Sequence, residues 1–274
     1  MSHATDRKPA LAEQVAVVTG STQGIGSGIA RKFGEHGARV VVHGIASQRS
    51  GGEKTVEAIT TAGGQALLVT GDLREEAHCR ALIRTAVERF GRLDILVNNA
   101  AVTHRGTIET TSTALWDEII GVDLRAPFIL CQEAIRVMKE QRRGCIINIG
   151  SGNAYFGLKN LLAYSTAKAG LTVFTKNLAN DMTQYLIRVN QINPGWVLTE
   201  GERQVRAVAE GRGENWIEAA LKTRPIGRML LPEDIAGAAL FFATHAPVSG
   251  SVLDFEQHPI GAPIDPEEIG LLMR

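Results

Sequence analysis

A tyrosine and a lysine four residues apart, Tyr164 and Lys168 in the run Tyr-Ser-Thr-Ala-Lys, carry the clearest chemistry in this chain. On a helix, positions i and i+4 stand on the same face. The ammonium of Lys168 then sits beside the phenol of Tyr164 and favours its ionised form. A phenol ordinarily titrates near a pKa of ~10, so a neighbouring cation is the direct route to a base at neutral pH. Ahead of the tyrosine, after the apolar run 145–149, stands Ser151, whose hydroxyl can hydrogen-bond a reacting oxygen. Tyr-x-x-x-Lys also occurs on ordinary amphipathic helices, and a serine there could simply cap one. A second motif gives the set its weight.

That motif is Thr19-Gly20-Ser21-Thr22-Gln23-Gly24-Ile25-Gly26, between the apolar run 15–18 and a helix-like stretch at 29–33. Strand, glycine turn and helix is the context in which glycines cradle a dinucleotide phosphate. Gly20 can take the left-handed angles of the turn, and Gly24 and Gly26 let the backbone approach a pyrophosphate. The helix N-terminus adds unpaired N–H groups and a partial positive charge. A plain glycine-rich βα turn is the alternative.

These groups need a scaffold that gathers strand ends. Short apolar runs over 15–19, 40–43, 66–70, 95–98, 145–149, 189–192 and 251–254 alternate with helical stretches, including 75–90, 113–141, 164–185 and 232–244. Such runs suit strands covered by helices on both faces. The expected fold class is α/β, a single-domain Rossmann-like doubly wound parallel sheet of about seven strands. Right-handed crossovers put the ligand crevice at the carboxyl ends of the strands, where all the motifs fall. The catalytic domain is expected over 14–256, after a flexible N-terminus (1–13) and before a C-terminal tail (257–274). Residues 199–224 are charged and punctuated by Gly201, Gly211 and Gly213 around Trp216. They read either as a substrate flap or as a solvated connector helix.

The 274 residues include 29 basic and 29 acidic side chains, a formal net charge of zero, which argues against a nucleic-acid or membrane partner held by charge. No apolar run approaches a bilayer span, and the polar opening lacks the core of a secretory signal. Cys79, Cys131 and Cys145 show no metal or redox spacing and read as small buried hydrophobes in a reducing compartment. A cytoplasmic protein without a metal site is expected.

With these residues in view, the chain from about 14 to 255 resembles the short-chain dehydrogenases/reductases. Beyond the two motifs, the resemblance rests on Asn98-Asn99-Ala100, Asp72, Asn193-Pro194-Gly195, and Gly227-Arg228 ahead of Pro232-Glu233-Asp234. It implies nicotinamide-dependent hydride transfer between an alcohol and a carbonyl. In the family's pattern Tyr164 is the general acid/base, Lys168 lowers its pKa and holds the nicotinamide ribose, and Ser151 hydrogen-bonds the substrate oxygen. The implied cofactor set is Gly20, Ser21, Gln23, Gly24, Ile25, Gly26, Asp72, Leu73, Asn99, Tyr164, Lys168, Pro194, Gly195, Val197 and Thr199. Within it, Asp72 meets the adenine and Thr199 the carboxamide, though both could equally be capping residues. Positions after the strands turn His104, Asn153, Phe156, Trp196 and Glu200 toward a small-molecule substrate, a mixture suited to a polyol or sugar.

The chain departs from the family's pattern in five places. Asp123 stands where the family has an asparagine that helps hold a water in the proton relay. An ionised aspartate accepts but cannot donate. Its charge competes for Lys168, leaves Tyr164 less acidic, and shifts the pH optimum upward. Ala101 replaces a glycine. Gly44 occupies the end of the second strand, where a carboxylate would select NAD. Gln23 and Ile45 stand where the basic residues that select NADP are expected. Ser47 and Arg49 nearby could receive a 2′-phosphate, which leans the reading slightly to NADP over NAD, although Arg49 could equally be a solvated loop residue. Finally, Asp254-Phe255-Glu256-Gln257 replaces an aspartate followed by paired glycines, in a region that packs between subunits in the family; a homotetramer or homodimer is expected. An alcohol or sugar dehydrogenase is favoured. The rivals are a 3-oxoacyl carrier-protein reductase and a dinucleotide-binding regulatory protein impaired at Asp123.

Overall fold

The seven apolar runs form one parallel sheet in the computed structural model, which describes residues 8–204, 206 and 216–259. Its strands are β1 (Val15–Val18), β2 (Arg39–Gly44), β3 (Gln65–Thr70), β4 (Ile95–Asn98), β5 (Gly144–Ile149), β6 (Ile187–Pro194) and β7 (Val252–Phe255), in the order β3-β2-β1-β4-β5-β6-β7. The order reverses between β1 and β4, where Val17 lies opposite Leu96, and this reversal opens a crevice above the strand ends.

Alternation along each strand explains the two cores. Ala16 and Val18 face one side, packing with Ile29, Phe33 and Phe242 of helices α1 (Gly24–Glu35) and α9 (Pro232–Thr244). Val15 and Val17 face the other, against Leu82 and Ile83 of α3 (Glu76–Phe90) and Ile129 and Met138 of α5 (Ala126–Gln141). The remaining helices are α2 (Arg49–Thr61), α4 (Thr113–Ile120), α6 (Leu162–Met182), α7 (Glu200–Gln204) and α8 (Trp216–Lys222). Cys79, Cys131 and Cys145 are free and buried as expected; burial pushes the first two thiols up to about 11 and about 12 and raises the third.

Four expectations change. The helix expected over 113–141 is interrupted by a π turn, Gly121–Arg125. Pro127 has no N–H to return to the carbonyl four residues earlier, so the helix widens there. The segment before Gln14 is not wholly a free terminus: Leu11 is fully buried in the first core, and its N–H bonds His36 O at 2.9 Å. Residues 1–7 lie outside the described residues. In the 199–224 segment, the described parts are not a solvated connector, because Trp216, Ala220 and Met229 form a small core with Trp196 and Leu198. Residues 205 and 207–215 lie outside the described residues. Finally, the expected tail starts as part of the packed domain: Gln257 donates to Arg228 O at 2.7 Å, and the His258 ring lies 3.0 Å from Thr223 O. The rest of the tail, 260–274, lies outside the described residues.

The Gly227-Arg228 and Pro232-Glu233-Asp234 motifs start α9. Asp234 accepts from Leu231 N at 2.8 Å and is clamped by Arg228 at 2.6 Å, which closes the first turn.

Candidate active site

The glycine turn is built for close approach. Gly20 and Gly24 have φ of +60° and +54°, angles that favour glycine. A Cβ on Gly26 would run into Gly20 O and Asn99 Nδ2, so only glycine fits there. Asn99 fixes the turn from the neighbouring strand, its Nδ2 donating to Thr19 O at 2.9 Å and Gly20 O at 3.0 Å. Thr19 Oγ1 accepts in return from Asn99 N and Ala100 N.

Above this turn runs a cleft of about 330 Å³, bounded by Gly20, Gln23, Gly24, Ile25 and Gly26 below and by Asp72, Leu73 and Asn99 along its walls. The first residues of α1, Gly24 to Gly26, line it, and a helix start offers N–H groups to an anion, while the glycine cradle leaves room for a phosphate. A nicotinamide dinucleotide therefore fits the residues present.

Not all the expected cofactor residues face this cleft. Ser21 is fully buried; its hydroxyl donates to Val18 O at 2.6 Å and accepts from His43 N at 3.0 Å, so it ties the turn to β2. Asp72 lines the cleft with its carboxylate clamped by Arg74 at 2.6 Å, and Arg74 holds it below the usual carboxylate range. Thr199 lines the cleft beside Gly24, its methyl 3.4 Å from where a Cβ on that glycine would stand. Pro194, Gly195 and Val197 carry the chain past the end of β6 without lining the cleft. Gly195 backs onto the Glu256 carboxylate and Val197 is buried beside Leu230.

The reacting groups converge at the ends of β5 and α6. Lys168 is almost fully buried, donates to Ile149 O at 3.0 Å, and lies 5.5 Å from the Tyr164 ring centre. Ser151 lies near enough to the Tyr164 phenol to draw its pKa down, and it is held in place by the turn it starts, its hydroxyl accepting from Asn153 N at 3.2 Å. The π turn delivers Asp123 to the same place. It is fully buried, accepts from Val102 N at 2.7 Å, and sits 3.5 Å from Lys168 Nζ.

Burial pushes the Asp123 carboxyl up, against the pull of Lys168. Burial also raises the Tyr164 phenol; Lys168 and Ser151 work against this, while Asp123 adds to it. The expected competition between Asp123 and Tyr164 for the lysine is thus present in the geometry.

The expected substrate residues are scattered. Asn153 stands beside Ser151, whereas Phe156 is 44% exposed. His104 is exposed, 3.7 Å from Glu118. Glu200 is exposed at the start of α7. Trp196 belongs to the base of the flap. Its indole stacks on Trp216 at 5.8 Å, its Nε1 donates to Glu202 at 2.7 Å, and its backbone N–H is held by Glu256 at 2.9 Å.

Several cleft residues escape the motifs. Thr22, His43 and Gln48 close the end beside Gly44. Thr22 Oγ1 bonds Gln48 Oε1 at 3.0 Å, and its methyl occupies the space a Cβ on Gly44 would need. The position of Thr22 inside the glycine turn was the available signal. Nothing local marked Gln48.

Comparison with known proteins agrees with this geometry. The short chain dehydrogenase family model matches residues 14–210. The chain is 33% identical to the 3-oxoacyl-(acyl-carrier-protein) reductase of Chlamydia pneumoniae over 85% of its own length and 91% of that protein's. It is 32% identical to the 2-dehydro-3-deoxy-D-gluconate 5-dehydrogenase of Dickeya dadantii, over 86% and 90%. The crystal structure of a dehydrogenase/reductase from Sinorhizobium meliloti 1021 superposes with a TM-score of 0.80 at 33% identity, covering 90% of this chain and 95% of that one. The glycine cradle, the Ser151–Tyr164–Lys168 cluster and these likenesses make the chain a member of the short-chain dehydrogenase/reductase family, an NAD(P)-dependent oxidoreductase acting on an alcohol or a carbonyl.

Proposed function

We propose that this enzyme interconverts a secondary alcohol on a polyol, sugar or similar hydroxylated molecule with its ketone, and that it prefers NADP. The observation that carries the reading is the convergence of Ser151, Tyr164 and Lys168 with Asp123, which accepts from Val102 N on the wall of the cleft above the glycine turn. The similarity to a sugar-acid dehydrogenase supports a hydroxylated substrate.

The bound nicotinamide supplies the hydride acceptor or donor; the remaining chemistry falls to the chain. Lys168 and the glycine turn hold the dinucleotide. Ser151 hydrogen-bonds the substrate oxygen and stabilises charge on it, while Tyr164 takes its proton in oxidation or returns one in reduction. Burial, with Asp123 adding, raises the phenol, so oxidation is expected to gain as pH rises.

For the nucleotide, the end of β2 carries no carboxylate to repel a 2′-phosphate, since Gly44 occupies it and Thr22 fills the space beside it. Arg49 opens α2 close by, paired with Glu53 at 3.6 Å, and a phosphate would compete for it. Phe128 and Val173, 46% and 60% exposed on α5 and α6, support assembly as a homotetramer or homodimer. The buried thiols suit the cytoplasm, and no described helix is long and apolar enough to cross a membrane.

The test is nicotinamide reduction by the purified protein across sugars, polyols and secondary alcohols, with NAD and NADP in parallel and Tyr164→Phe as the blank. Turnover that vanishes in the blank, faster with NADP, supports the reading. Turnover confined to a 3-oxoacyl thioester favours the second reading, a carrier-protein reductase, for which the likeness to the Chlamydia pneumoniae enzyme speaks.

A further inference from the structure

Beneath the reacting groups, a chain of buried amides and hydroxyls crosses the sheet. Asn98 on β4 donates to Asn148 on β5 at 2.8 Å, and Asn148 donates to the Thr175 hydroxyl of α6 at 2.8 Å. Thr175 bonds Gln191 Oε1 on β6 at 3.0 Å, and Gln191 Nε2 donates to Asn193 Oδ1 at 2.7 Å. Asn193 Nδ2 then donates to Asp254 Oδ1 on β7 at 2.9 Å. Every member except Asp254 is at most 3% exposed; Asp254 stands in water at the sheet edge.

This chain ends on the catalytic serine. Asn193 Oδ1 also accepts the backbone N–H of Ser151 at 3.1 Å. The approach is close enough that a Cβ on Gly150 would run into both Asn193 Oδ1 and Gln191 Nε2. An amide can present its oxygen or its nitrogen to the serine, and only the oxygen binds an N–H. The choice is made at the other end. A carboxylate only accepts, so Asp254 turns the nitrogen of Asn193 toward itself and the oxygen toward Ser151. Tyr155, whose hydroxyl accepts from Asn193 Nδ2 at 3.3 Å, braces the same corner.

We propose that Asp254 is a positioning residue for the reaction: through Asn193 it holds the Ser151 backbone in register with Tyr164. The inference rests on Ser151 binding the substrate oxygen, as proposed above. Asp254 never meets the substrate, and it stands one strand beyond the one that carries its relay. A displaced reacting group loses rate while the nucleotide, held elsewhere, keeps its affinity.

The experiment measures kcat and the dissociation constant for the dinucleotide, the latter by protein fluorescence, in a double-mutant cycle. Asp254→Ala is expected to lower kcat by about tenfold to a hundredfold, the range for a supporting group, with nucleotide affinity unchanged. Asn193→Asp sets two carboxylates face to face and loses more. Combining Asn193→Asp with Asp254→Asn restores an acceptor for Ser151 and a donor to hold it, and recovers kcat. If Asp254→Ala fails to fold, the comparison of Asn193→Asp with the combined variant still decides. The inference is overturned if Asp254→Ala leaves kcat intact, if kcat and nucleotide affinity fall together, or if the combined variant recovers nothing. Ser151→Ala is run beside them. Full activity there removes the reading of Ser151 and the inference with it, whereas an inactive Ser151→Ala beside a fully active Asp254→Ala removes the inference alone.

Discussion

The two halves of the site, the nucleotide cleft and the reacting groups, are made of different material. At the nucleotide end the working surface is backbone: Gly20 and Gly24 in left-handed angles, Gly26 with no room for a methyl group, and the open N–H groups of α1. Side chains there face inward, as Ser21 and Asn99 do, and serve to hold the loop. At the reacting end the working surface is side chain, with Ser151, Asp123, and the pair Tyr164 and Lys168 on α6 projecting from three separate segments. Their alignment depends on other side chains, the amides beneath β5 and β6. A backbone site tolerates exchange of its neighbours and fails when a glycine gains a carbon. A side-chain site fails when one functional group is altered and leaves the rest of the fold intact.

The largest effect that tests this contrast is Tyr164→Phe. It should lower kcat by about a thousandfold, the scale of a lost general acid/base, while a fluorescence titration finds nucleotide affinity unchanged. Gly26→Ala should do the converse. Forcing a methyl into that space costs about 1–3 kcal/mol, so nucleotide affinity falls by up to roughly a hundredfold. Turnover at saturating nucleotide is then largely retained.

A third measurement probes the seam between the β2 edge and the cleft. His43 is buried with its Nε2 3.1 Å from His78 Nε2, and burial, with His78 adding, lowers its pKa to about 4. The folded protein keeps it neutral, while the unfolded chain takes up a proton below pH 6.5. The stability this residue contributes is therefore complete above pH 6.5 and lost progressively as pH falls toward 4. At pH 5 the loss is roughly 2 kcal/mol. Denaturant melts at pH 5 and 7.5 should show His43→Gln losing less than the wild type by that amount.

The smallest effect concerns Asp123. Its charge raises the Tyr164 phenol, so Asp123→Asn should move the limb on which oxidation rises with pH downward by roughly one unit. An unmoved limb in the kcat profile would show that the carboxylate is neutral or too well matched by Lys168 to be felt at the phenol.

Much of this was legible in the sequence for one reason: short apolar runs and glycine spacing are local signals. All seven strands fall on their expected runs, and the Tyr164–Lys168 spacing placed both on α6 because a helix repeats on that interval. What stayed hidden depends on partners far along the chain. The inward turn of Ser21 is set by His43, 22 residues away. The packing of Trp196 needs Trp216 and Glu256, so a residue expected to face substrate became the root of a small core. The expected unbroken helix over 113–141 passed over a local signal, Pro127, since a proline inside a helical pattern removes a bond whatever surrounds it. That the break would take the form of a π turn burying Asp123 required the lysine from α6.

The three thiols give the molecule a built-in timer. Cys79, Cys131 and Cys145 sit in α3, α5 and β5, each buried, and each held well away from its reactive thiolate form at neutral pH. An alkylating dye added to the native protein has to wait for these segments to open. The pace of labelling therefore counts openings of the interior, and locating the labelled thiol by mass spectrometry tells which segment opened. A nucleotide that binds only the closed form slows that count in proportion to its occupancy. The chain thus reports, through residues that take no part in the chemistry, how firmly each candidate cofactor grips it.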